Sequence, residues 1–90
     1  MPRFIIERTI PGAGDLDAQQ LKEIARASNA VVESLGVPYT WLHSYVAGDK
    51  LYCVHETENA DVVREHARRG GFPCDVVTVV SEVIGPQTAG

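Results

Sequence analysis

The sequence predicts an α+β fold, a four-stranded antiparallel sheet with two helices on one face. Three features predict it. Short apolar runs and segments of helical periodicity follow one another as strand, helix, strand, strand, helix, strand. Clusters of Gly and Pro separate these segments. A tight turn at Gly48-Asp49 joins the two middle strands into a hairpin. The chain has 90 residues and a mass of 9.8 kDa, enough for one domain spanning residues 1–85, with 86–90 as a flexible tail.

The first strand, Phe4 to Ile10, is apolar and partly β-branched, and Pro11-Gly12-Ala13-Gly14 stops it. That glycine-rich turn lacks the Lys-Ser/Thr of a phosphate-binding loop. Leu21, Ile24, Ala25, Ser28, Val32 and Leu35 then recur at helical spacing. Asp17 stands three before Gln20 as a capping box, and Gly36 and Pro38 end the helix. Tyr39 to Ala47 and Leu51 to Glu56 are the hairpin strands. Asn59 caps a second helix with Val62, Val63 and Ala67 inward, closed by Gly70-Gly71 and Pro73. Valine-rich Val76 to Ile84 is the last strand. This order is the ferredoxin-like βαββαβ pattern, which leaves one sheet face uncovered.

Composition narrows the function. Net charge is -4 and the pI about 5.2, so a phosphate backbone is repelled and nucleic acid is not an expected partner. No apolar run approaches the ~20 residues of a membrane span, and Met1-Pro2-Arg3-Phe4 does not read as a signal peptide. Cys53 and Cys74 form neither a Cys-x-x-Cys pair nor a disulfide framework, so the expected compartment is the cytoplasm.

A two-residue turn pairs Ala47 with Lys50, Tyr45 with Tyr52 and His43 with Val54. Leu42, Ser44, Val46, Leu51, Cys53 and His55 then lie beneath the helices. Tyr39, Trp41, His43, Tyr45, Tyr52, Val54 and Glu56 take the open face, an aromatic surface suited to a homodimer interface or a ligand cavity.

Ser44-Tyr45-Val46, Asp49-Lys50-Leu51-Tyr52-Cys53-Val54, Arg64-Glu65-His66-Ala67 and Gly71-Phe72-Pro73 resemble a bacterial domain-of-unknown-function family. Its known members are small nickel-binding, ferredoxin-like homodimers. The opening Pro2-Arg3-Phe4-Ile5-Ile6-Glu7-Arg8 is also similar, and the resemblance runs from Met1 to about Val83. It implies the fold, a homodimer and nickel binding. The aromatic open face is most simply covered by face-to-face pairing, as in dimeric α+β barrels, and the expected function is binding of a divalent transition metal, nickel first, for sequestration or buffering.

Imidazole with thiolate or carboxylate suits nickel, and the donors are His43, His55, His66, Cys53, Cys74 and the acids. No pair has a metal-motif spacing, so the fold or a dimer must assemble the site. Two candidates result. His43 and Glu7 share the open face, where a second copy doubles them; His66 approaches Cys53 beneath the helices. His55 joins either site only if the register differs. Each residue also has an ordinary role: His66 as a hydrogen-bonded helix residue, Cys53 as a small hydrophobe, Glu56 as the partner of Arg3. A cofactor-free enzyme is the alternative, with Glu7 or His43 moving a proton and Tyr45 or Tyr52 donating to an oxyanion in an open-face cavity.

Overall fold

The computed structural model describes residues 1–90. In chain order it holds β1 (Arg3–Thr9), a 3-10 turn (Ala13–Asp15), α1 (Ala18–Ser34), β2 (Tyr39–Ala47), β3 (Lys50–Thr57), α2 (Ala60–Gly70), β4 (Val76–Val79) and a closing 3-10 turn (Pro86–Ala89). The strands make one antiparallel sheet in the order β2-β3-β1-β4. This is the expected α+β, ferredoxin-like arrangement.

Alternation along the central strands separates the two faces. Phe4, Ile6 and Arg8 of β1 are buried and lie opposite His55, Cys53 and Leu51 of β3. Val63 of α2 closes this core, and Ala13 seals one end. The opposite face carries charge that is paired across strands. Arg3 meets Glu56 at 3.1 Å, as the sequence suggested, and Lys50 meets Glu7 at 3.7 Å.

Local chemistry sets the helix ends where they were expected. Asp17 accepts from the Gln20 amide at 2.8 Å while the Gln20 side chain accepts from the Asp17 amide at 2.9 Å, a complete capping box. Asn59 accepts from the Val62 amide at 3.1 Å, and Gly71 ends α2 at φ 68°, where a side chain would be strained. The Pro11-Gly12-Ala13-Gly14 turn is a clasp on the β2–β3 hairpin. Ile10 N–H and Gly14 N–H donate to the carbonyls of Asp49 and Gly48 at 2.8 Å, and Gly12 N–H donates to the Asp49 carboxylate at 2.9 Å.

The structure corrects the sequence reading at two places. The last strand ends at Val79 instead of Ile84. Val80 N–H still donates to the Arg3 carbonyl, but Arg3 is the first residue of β1, so the residues after Val80 have no partner in that strand. The second correction moves two aromatics. The hairpin pairs Tyr45 with Tyr52 and His43 with Val54 as expected, but the next pair is Trp41 with His55, so Leu42 is an extra residue. Such a bulge shifts the alternation by one. Tyr39 and Trp41 therefore lie on the helix-covered face with His55, not on the open face. Leu42 and Val46, expected beneath the helices, are exposed.

Candidate functional site

The bulge completes an aromatic cluster beneath the helices. β3 carries His55 inward beside Cys53, α2 carries His66, and β2 brings Tyr39 and Trp41 over them. His55 and His66 meet edge to face with ring centroids 5.2 Å apart. Tyr39 stacks on His66 at 5.1 Å and 17°, and Phe72 covers it further at 5.4 Å. Trp41 tilts over His55 at 6.5 Å, and its indole N–H donates to Ser44 Oγ at 2.9 Å.

Both histidines are 1% exposed. Burial first, then the positive charge of Arg8, holds the imidazole of His66 neutral down to about 4. For His55, burial acts first, with His66 and then Arg8 adding to it, and the value falls to about 3. Burial pushes the Tyr39 phenol up, so it keeps its proton. Tyr39 therefore donates to His55 Nδ1, which leaves the His55 proton on Nε2. His66 Nε2 shares a 3.1 Å hydrogen bond with Ser28 Oγ, while its Nδ1 is buried with no partner.

A cavity of about 70 Å³ opens beside this cluster, between the sheet, α1 and α2. Ile24 and Ser28 of α1 line it, with Trp41, Cys53, His55, His66 and Phe72. So does Arg8, 3% exposed, whose guanidinium donates to the Pro73 carbonyl and lies 5.7 Å from the Phe72 ring centroid. The cavity is thus on the covered side, not on the open face where the sequence reading placed a small organic substrate.

The sequence-derived candidates divide accordingly. His55, His66, Cys53, Tyr39 and Trp41 are brought together under the helices. His43, Glu7, Tyr45 and Tyr52 lie on the uncovered face, where Tyr45 is 61% exposed and His43 packs edge-on against it at 5.1 Å. His43 makes no side-chain hydrogen bond, and Glu7 is engaged by Lys50. His55 faces His66 on the covered face where the hairpin turn places it, although its partner on β2 is Trp41 and not Leu42. Arg8, Ser28 and Phe72 were missed. Arg8 was the readable one, since it continues the Phe4, Ile6 alternation and so puts a charge on an apolar face.

The donors of the single chain do not fit a transition metal. No three His, Cys, Asp or Glu side chains converge on a common point. The interior offers two imidazoles and the Cys53 thiol, which do not converge as a ligand set, beside a guanidinium that repels a dication. The Ser28–His66 pair resembles a nucleophile and its base, but an imidazole held at about 4 is a weak base, and no acid orients its Nδ1.

Fold and cluster define a small α+β protein of the ferredoxin-like class with a histidine-rich, aromatic interior. Residues 4–80 match the model of the SCO4226-like family, described as nickel responsive protein SCO4226-like, and the chain belongs to that family. One similar solved structure is SCO4226 from Streptomyces coelicolor A3(2). It is 20% identical, with a TM-score of 0.75 over 91% of this chain and 99% of that one. At that identity the likeness shows a shared fold. No curated protein matches the sequence. No helix is long and apolar enough to cross a membrane.

Proposed function

We propose that the chain binds a divalent transition metal, nickel first, and serves its sequestration or buffering in the cytoplasm as a homodimer. The match of residues 4–80 to a family described by nickel response carries this reading. The ligand assignment follows from elimination among the imidazoles. His55 and His66 are enclosed beside Arg8, whereas His43 is exposed and free of hydrogen bonds. One protomer supplies too few donors there, so a second copy, packed on the uncovered face, completes the shell with its own His43 and Glu7.

Calorimetric titration of nickel into protein without an affinity tag tests the proposal. His43→Ala should abolish binding and Glu7→Gln should weaken it, while His66→Gln leaves it intact. Unchanged affinity and stoichiometry in His43→Ala would overturn the assignment. Loss of binding in His66→Gln alone would move the metal to the interior pair.

A further inference from the structure

We propose that the cavity beneath α1 binds a short monocarboxylate, of the size of acetate or formate, through the buried guanidinium of Arg8. This goes beyond the metal reading and concerns the opposite face of the sheet. Arg8 is 3% exposed and belongs to none of the chain's ion pairs. A guanidinium carries five N–H donors, and its one hydrogen bond here goes to the Pro73 carbonyl. A buried charge is costly unless an opposite charge and further hydrogen bonds meet it. The chain has 12 acidic residues against 8 basic ones, yet the residues lining the cavity with Arg8 include no carboxylate. The missing counter-charge is therefore left to a ligand.

The lining selects the ligand. A planar guanidinium fork matches the two oxygens of a carboxylate. A single cation between neutral rings offsets one negative charge, so a phosphate dianion is disfavoured. Ile10, Ile24 and Leu51 supply apolar wall for a methyl group. Size sets the upper limit. A cavity of about 150 Å³ holds the six carbons of benzene. By that ratio about 70 Å³ admits roughly three non-hydrogen atoms, the count of formate, and a close fit for the four of acetate.

Trp41, the chain's one tryptophan, lines the cavity and reports on it. Full-length protein is titrated with sodium acetate and sodium formate against sodium chloride at equal ionic strength. Trp41 emission should change saturably, with a midpoint between about 0.05 and 10 mM given the binding ceiling of so small a ligand. Arg8→Lys keeps the charge and loses the fork, and should weaken binding at least about tenfold. Ile24→Phe fills the cavity from α1 with Arg8 intact and should abolish it. Sodium phosphate and sodium benzoate, wrong in charge and in size, should leave the signal unchanged. No saturable response to acetate or formate up to about 50 mM overturns the proposal, as does an equal response in both variants. A phosphate or benzoate midpoint as low as that of acetate overturns it too.

Discussion

Acidification from about pH 7 to about pH 5 should cost the fold about 4 kcal/mol through two imidazoles. Burial holds His55 at about 3 and His66 at about 4, against 6.5 for the free ring. Both folded values lie below the unfolded one, so the unfolded chain takes up protons first as pH falls. Stability is therefore full above about pH 6.5 and declines below it, levelling only as the folded rings themselves titrate. One pKa unit corresponds to about 1.36 kcal/mol, so each ring accounts for about 2 kcal/mol at pH 5. At roughly 0.05 to 0.15 kcal/mol per residue, a chain of this length has about 5 to 14 kcal/mol in all. The loss is a large fraction of that total. Its slope is the sharper quantity: two protons give about 2.7 kcal/mol per pH unit between about pH 5 and 6. Urea unfolding followed at Trp41 measures it. His66→Gln should halve the slope, because the amide can still meet Ser28 but does not titrate. Glu65, held at about 2 first by its hydrogen bond to Arg68 and then by that to Arg69, contributes above the ordinary carboxylate value and loses that contribution only at lower pH. It stays outside the window. A wild-type slope under about 0.7 kcal/mol per pH unit would refute a buried, neutral pair.

The remaining expectations are simpler to read. Asp17→Ala removes one half of the α1 capping box and should lower stability by about 1 kcal/mol in chemical denaturation. Gly71→Ala places a side chain at φ 68° and should cost about 1 kcal/mol, seen as a lower melting temperature. Tyr45→Glu, on the uncovered face, should shift the light-scattering mass from dimer toward monomer without changing the helical circular dichroism. A wild type that is monomeric at micromolar concentration rejects the dimer outright.

Most of the fold was legible because its signals are local. Asp17 with Gln20, Asn59 before Val62, and the glycine at 71 each act over a single turn, and each does in the structure what its sequence position implies. The Gly48-Asp49 turn likewise fixed the pairing from Ala47 back to His43. The candidate site was half legible for the same reason. The inward position of His55 beside Cys53 follows from that turn. Tyr39 and Trp41 lie beyond the bulge at Leu42, and no glycine or proline there marks where the alternation shifts. The contact between His55 and His66 joins a strand to a helix and depends on how α2 settles on the sheet, which periodicity alone does not specify. The end of β4 was illegible from its own sequence. Val80 to Ile84 has strand composition, and what it lacks is a partner, since β1 begins at Arg3, opposite Val80.

The same alternation that divides the faces also separates the two proposed ligands. On the uncovered face Arg3 is answered by Glu56 and Lys50 by Glu7, so little net field opposes a dication near His43. On the covered face Arg8 stands without an acid, and the adjacent rings stay uncharged at neutral pH. That side repels a metal ion and attracts an anion. β1 links the two, since Glu7 and Arg8 are consecutive residues pointing to opposite faces. Replacing either residue would therefore disturb one face directly and the other only through the strand they share. Glu7→Gln should leave acetate titration of the cavity unchanged, and Arg8→Lys should leave nickel stoichiometry unchanged. A variant that alters both ligands together would show that the faces are coupled through β1.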